Sequence, residues 1–441
     1  MSSAPLARLL ALLLLVGVTF NLTILPRIAE CSWPKFQGPD HTGQTPASVP
    51  LTWASREDMA WTTILPGYGQ SSPVIWGDMV VLTSIEGPEK ETGIVVCLDK
   101  RTGKVKWKKE IQTASGAKNN NYVSRAAPTP IIDPDRITVL FEGGNLLSLD
   151  HQGNILWQRN LVDDFGEIKA RHGLSASLEQ NQDTVFVWIE RENEPYVLAV
   201  AKTDGTDRWK VPGLGVTSWS SPRLVPVAAQ AHLVLSGVGK LVGFDPESGE
   251  RLWEIDDISG NSTPTPVPVG DGRFLIGATT GRSGGGAGKA ARSNGLIQIE
   301  RGEDGAFKAD FLWRCKRATS SFGSPLAHEG LAYFVNRQGV IYCIRLADGE
   351  EQFAERTADS VWATPFAVGE RLYFFGKKGT TTVIKAGNVF EELAVNELAT
   401  DAEEGESATA APARGGRVLY AAAVDDGAIF LRTGNRLFCI R

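Results

Sequence analysis

Cys97-Leu98-Asp99-Lys100-Arg101-Thr102-Gly103-Lys104-Val105-Lys106-Trp107 reads as the end of one strand, a tight turn, and the start of a second strand that carries a Trp. Gly103 supplies a positive-φ position, and the Asp99 and Thr102 side chains can bond the backbone of the turn. Gly243-Phe244-Asp245-Pro246-Glu247-Ser248-Gly249-Glu250-Arg251-Leu252-Trp253 has the same spacing. Ala199 to Trp209 and Cys343 to Phe353 also keep a Gly four residues before the aromatic. The copy ending at Trp157 is one residue shorter in its turn, and the one ending at Trp313 contains an insertion. Counted outward from Trp107, Trp61, Trp157, Trp209, Trp253 and Trp313 recur at intervals of 46, 50, 52, 44 and 60 residues, with Phe353 a further 40 on. A period of this length marks an array of like supersecondary units.

A second mark stands earlier in each unit. Ser72-Pro73, Thr129-Pro130, Ser221-Pro222, Thr265-Pro266, Ser324-Pro325, Thr364-Pro365 and Ala411-Pro412 each precede apolar residues, and Ala176-Ser177 replaces the pair in the third unit. Each mark is followed by a turn and a β-branched or aromatic strand, such as Met79-Val80-Val81-Leu82 or Arg371-Leu372-Tyr373-Phe374. Eight units of about four strands result.

The expected fold is all-β: an eight-bladed β-propeller of four-stranded antiparallel blades. Radial sheets spread towards the rim, so their outer strands need large residues such as Trp. Pro at the start of an inner strand removes a donor where no ladder partner is required. The last unit stops at Leu437-Phe438-Cys439-Ile440-Arg441, one strand short, and Met59-Ala60-Trp61-Thr62 offers the missing one. An N-terminal strand completing the final blade closes the ring and leaves no long free edge. The repeat residues build blades and carry no chemistry.

Composition agrees with a turn-rich β protein, with 47 Gly, 23 Pro, 12 Trp and only 3 Met in 441 residues. The net charge of −6 is spread along the chain without a basic face, which disfavours nucleic acid. Arg8 precedes an apolar run from Leu9 to Phe20 that continues less purely to Leu25. This reads as an export signal, cleaved or kept as a membrane anchor, and places the protein outside the cytoplasm, periplasmic or membrane-anchored. The chain divides into 1–30, signal or anchor; 31–58, a lead-in segment; and 59–441, the propeller. Cys97, Cys343 and Cys439 occupy equivalent repeat positions between apolar residues and read as small buried hydrophobes, while Cys31 and Cys315 have no obvious mates. Neither a disulfide framework nor a zinc site is expected.

The aromatic-capped turns resemble the tryptophan-docking repeats of quinoprotein dehydrogenases and of the propeller lipoprotein of outer-membrane β-barrel assembly. They are similar above all to the bacterial PQQ-like (pyrroloquinoline quinone) repeat family. Trp33-Pro34-Lys35-Phe36-Gln37-Gly38-Pro39-Asp40 through Gly43 resembles that family's lead-in, as do Lys118-Asn119-Asn120-Asn121-Tyr122 and Ser218-Trp219-Ser220-Ser221-Pro222. The resemblance covers about residues 33–441 and is specific for fold, much less for activity. A quinone enzyme of this kind implies PQQ held by Arg or Lys, sandwiched by aromatics and bridged to Ca²⁺ by carboxylate and amide oxygens. Such enzymes often add a ring formed by adjacent cysteines; this chain has no Cys-Cys pair and little room for their long loops. No residue here is matched to their metal ligands, so no cofactor is expected, PQQ with Ca²⁺ being the alternative.

His41, His151, His172, His232 and His328 lack metal-ligand spacing. Ser283-Gly284-Gly285-Gly286-Ala287-Gly288-Lys289-Ala290 lacks the first Gly and the final hydroxyl of a phosphate loop, and reads as a hairpin tip made cationic by Arg282, Lys289 and Arg292. The loop from each outer strand to the next inner strand opens on one rim of the channel. Tyr68, Gln70, Asn121, Tyr122, Arg125, Arg171, His172, Trp219, Asn261, Phe322 and Trp362 are therefore the candidate funnel-mouth binding residues, with strand-start packing as the competing role. The sequence is read as a non-enzymatic extracytoplasmic scaffold binding a protein or peptide partner, in the manner of envelope assembly. A quinone- or small-molecule-binding oxidoreductase and a carbohydrate- or envelope-binding module remain alternatives.

Overall fold

The computed structural model describes residues 31–40, 43–45, 48–54, 56–113, 124, 126–170, 172–280, 287–398 and 421–441. The N-terminal run to Leu25 and the Ala411-Pro412 mark lie outside them. Among the described residues no helix is long and apolar enough to cross a membrane.

Eight antiparallel sheets form the propeller, and helix is confined to short pieces such as Leu161–Phe165 and Ala287–Ala291. Blade 1 is built from Val74–Trp76, Met79–Glu86, Thr92–Asp99 and Val105–Gln112, in order from the axis outward. Blades 2 to 7 repeat this order, their inner strands starting at Ile131, Glu179, Arg223, Val267, Leu326 and Phe366. Blade 8 takes Ala421–Asp425, Ala428–Arg432 and Arg436–Ile440 from the C-terminus. Its outer strand is Met59–Ile64, with Trp61 opposite Cys439, so the expected closure by the N-terminal strand holds.

Each outer-strand Trp lies across the turn of the following blade. The Nε1 atoms of Trp61, Trp107, Trp157, Trp209 and Trp313 donate to Lys100 O, His151 O, Lys202 O, Pro246 O and Leu346 O at 2.8–3.1 Å. Beneath each indole lies the turn glycine. A Cβ built on Gly103 would stand 2.5 Å from the Trp61 ring, and one on Gly249 would stand 2.8 Å from Trp209. Positive φ, +68° and +76°, excludes ordinary side chains a second time.

Blade 4 departs from this pattern. Trp253 turns into its own blade and donates to His232 Nδ1 at 3.0 Å, and the His232 ring meets Phe307 of blade 5 edge-on at 4.4 Å. Burial lowers the His232 pKa to about 4, with Asp245 opposing slightly.

The Ser/Thr marks join the blades at the axis. The amide of Ser72 donates to Thr129 Oγ1, Thr129 to Ser177, Ser177 to Ser221, Ser221 to Thr265, Thr265 to Ser324, and Ser324 to Thr364, all at 2.9–3.1 Å. The hydroxyl is thus required as the acceptor for the preceding blade's amide. This explains why Ser177 keeps its place where the Pro is lost. The cores between blades are apolar, and Cys97, Cys315, Cys343 and Cys439 are buried and free, their thiols pushed up to about 11–12 by burial.

Candidate functional site: the axis and the strand-start rim

The lead-in segment runs through the centre of the ring. Cys31–Trp33 adds a strand to the inner edge of blade 1, and Pro34 O accepts from Ile132 N of blade 2 at 2.9 Å. Lys35 Nζ reaches Glu179 of blade 3 at 2.9 Å, and Gln37 Oε1 accepts from Arg223 Nη2 of blade 4 at 2.6 Å. Gln44 Nε2 donates to Ala327 O of blade 6 at 2.7 Å, and Gln44–Thr45 runs parallel to Phe366–Val368 of blade 7.

Arg223 and Glu179 also pair directly at 3.3 Å, with side chains only 2% and 1% exposed. Burial pulls the Arg223 guanidinium below the usual arginine range, and Glu179 opposes that shift. A buried charge of this kind persists only when paired and hydrogen-bonded. The lead-in supplies Lys35 and Gln37 as partners, so charge and path specify each other. Gln37 and Gly38, at φ +69° and +80°, make the turn that places them, and a Cβ on Gly38 would meet the Trp33 ring at 3.3 Å.

A cavity of about 20 Å³ remains beside the lead-in, between Trp33, Phe36 and Gln37 and the inner-strand residues Ser72, Thr364 and Phe366. That is room for about one water molecule. Small-molecule sites occupy roughly 300–1,000 Å³. That cavity is too small for a tricyclic quinone, and no group of three or more His, Cys, Asp or Glu among the described residues is arranged to hold a metal.

The sequence did not reveal that the lead-in fills the axis. Its signal was available in Glu179 and Arg223, charged residues at inner-strand positions where the other blades are apolar or neutral.

The candidate rim residues have unlike fates. Asn121, Tyr122, Arg125 and Arg171 lie outside the described residues, as does Arg282 of the blade 5 insertion. In that insertion, Ala287–Ala291 forms a helical turn where a hairpin tip was expected, because the Gly-rich stretch ends at residues with helix preference. Tyr68 pairs with Ile85 through its backbone in both directions, and its ring covers Gly434 so closely that a Cβ there would clash. Gln70 Oε1 accepts from Ser124 N at 2.8 Å. Asn261 is fully buried, its amide donating to Ser236 Oγ and Lys240 O and accepting from Gly239 N. It caps a loop and does not line the mouth.

His172 and Trp219 come together, rings 5.9 Å apart, and Trp219 Nε1 is used by Gly173 O at 3.1 Å. Phe322 and Trp362 also meet, at 4.9 Å and 71°, across the seam of blades 6 and 7. A cation lies over each ring: Arg337 is 5.1 Å from the Phe322 centroid, and Lys377 Nζ is 4.1 Å from that of Trp362.

These features define a PQQ-like propeller with a filled axis. A family profile described as outer membrane protein assembly factor BamB matches residues 52–192 and 193–278, just over half of the chain, and the protein belongs to that family. Among solved structures, BamB from Moraxella catarrhalis is 13% identical with a TM-score of 0.58, over 86% of this chain and 98% of that one. Quinohemoprotein alcohol dehydrogenase from Comamonas testosteroni is 11% identical with a TM-score of 0.56, over 92% of this chain and 80% of that one. The computationally designed Ika8 protein is 10% identical with a TM-score of 0.54, over 86% and 98%. Likeness at these identities is likeness of fold, shared by an assembly factor, an enzyme and a design. A comparison with curated protein sequences gave no match.

Proposed function

We propose that this protein is a non-enzymatic, extracytoplasmic scaffold that binds a protein partner on its strand-start rim, in the assembly of the cell envelope. The observation that carries this reading is the filled axis. With the central channel occupied by Lys35, Gln37 and their polar partners, recognition falls to the rim, where half-buried aromatics stand beside cations. Such groups dominate the energetics of protein interfaces. Membership of the BamB family supports a role in assembly. The charged start and apolar run from Arg8 to Leu25 support export, with membrane attachment if the run is retained.

The test is photo-crosslinking in intact cells, with benzoylphenylalanine placed at Phe322, Trp362 or His172 and, on the opposite face, at Asp348. Adducts with envelope proteins from the rim positions and not from Asp348 are expected. Adducts from Asp348 alone, or none from any position, overturn the proposal. An extracytoplasmic reporter fused after Arg441 is expected to be active, and a cytoplasm-only reporter inactive.

A further inference from the structure

The seam of blades 6 and 7 differs from the corresponding positions of blades 1 and 4. Phe322 and Trp362 each stand two residues before the Ser/Thr of their mark, where blade 1 has Gln70 and blade 4 has Trp219. At those other positions the polar atoms are spent internally, on Ser124 N and on Gly173 O. Trp362 Nε1 has no hydrogen-bond partner among the described residues.

The two neighbouring turns are held in place by backbone bonds. Ser360 Oγ donates to Arg337 O at 2.7 Å, and Lys377 N donates to Ser360 O at 2.7 Å. Asp359, the nearby carboxylate, is occupied by the amides of Ser360 and Lys378 at 2.6 and 2.5 Å. No carboxylate of the described residues pairs with the side chains of Arg337, Lys377 or Lys378. The Arg337 guanidinium, the Lys377 ammonium and the Trp362 indole N–H are therefore gathered round an apolar pair, and no salt bridge among the described residues involves either cation.

We infer that this seam is the docking site for an acidic peptide segment of the partner, one whose carboxylates alternate with apolar side chains. The inference rests on the scaffold reading and names the chemistry its partner must present. Carboxylates suit the cation set, which is poised for charge-assisted bonds. The half-buried Phe322 and Trp362 rings give an adjacent apolar side chain somewhere to pack. A long polyanion is disfavoured, because blade 3 presents exposed Asp163, Glu192 and Glu194 on the same face. The shallow form of the site suits an extended peptide better than a small ligand.

The test uses the purified full chain and a fluorescein-labelled peptide in which glutamate alternates with phenylalanine and leucine, followed by fluorescence anisotropy. Binding that weakens as salt is raised is expected, with none for the lysine counterpart of the peptide. The double charge reversal Arg337→Glu with Lys377→Glu should weaken binding at least about tenfold. Arg337→Lys with Lys377→Arg, and Glu194→Lys on the far sector, should retain it. Circular dichroism and melting of all variants should match the parent.

Absence of salt-sensitive binding, equal binding by the charge-reversed variant, or equally tight binding of a polythymidine oligonucleotide overturns the inference. If crosslinks form at Phe322 and Trp362 while the acidic peptide fails to bind, the scaffold reading stands and the acidic partner class falls. If neither occurs, both fall.

Discussion

Trp61 and Gly103 meet across the seam between the last blade and the first: the indole lies flat on the glycine and donates to Lys100 O, three residues before it. The residues lie far apart in the fold's connectivity, one on the N-terminal strand that completes blade 8 and the other in a turn of blade 1. Trp61→Ala should lower stability by about 3 kcal/mol, the low end for a large aromatic because the ring is half-buried. Gly103→Ala should cost about 1–3 kcal/mol through φ strain and collision with the ring. In the double variant the collision is gone, so the two losses should sum to more than the combined effect. Denaturant titration of the four proteins measures this coupling.

The row of hydroxyls that joins blades 1 to 7 at the axis makes a sharper demand on chemistry than on shape. Thr265→Val keeps the volume and removes the acceptor used by Ser221 N, leaving a buried amide unsatisfied. A loss of about 1–3 kcal/mol is expected, whereas Thr265→Ser should cost less. Thermal melting of the pair separates the hydroxyl from the methyl.

Glu179 is the carboxylate that Lys35 and Arg223 share at the axis. Glu179→Gln brings two buried cations together without it, and a loss of about 3–5 kcal/mol is expected. Adding Arg223→Met should recover part of that loss. Protease cleavage within the lead-in should become faster in Glu179→Gln and slower again in the double variant.

His232 is held neutral. Its folded pKa of about 4 lies below its ordinary 6.5, so below 6.5 the unfolded chain binds the proton more readily. The stability contributed by the neutral ring is complete above pH 6.5 and is lost progressively as pH falls towards 4. His232→Asn keeps an acceptor for Trp253 Nε1 and does not titrate. Its melting temperature should fall less steeply than the parent's between pH 6.5 and 4, and the difference between the two curves isolates the imidazole.

The blades were legible because each is specified locally. Gly103 and Gly249, with the Asp99 and Asp245 side chains that bond their turns, sit within a few residues of one another, and the strands alternate beside them. Closure was legible because Cys439 lacked an outer neighbour and Met59–Ile64 lacked any other sheet. The axis was not, since the bonds from Lys35 to Glu179 and from Gln37 to Arg223 cross long stretches of chain that no local pattern connects. Asn261 shows the same limit on the rim. Its position before a strand was read correctly, but whether an amide faces solvent or caps Gly239 depends on the Ser236 and Lys240 atoms around it. Phe322 and Trp362 were selected singly. Their meeting with Arg337 and Lys377 needed the turns of two blades to be placed side by side.

The lead-in is a hub as well as a filler. An array of repeats that touch only their neighbours can unravel from either end, losing one unit at a time. Here the N-terminal segment is bonded to blades 1, 2, 3, 4, 6 and 7 before its next strand completes blade 8. Prising open a seam between two of these bonded blades leaves both still tethered through the centre, so the gap cannot widen without breaking the spokes. The blades are therefore expected to fail together, the ring unfolding as one cooperative unit despite being made of eight similar parts.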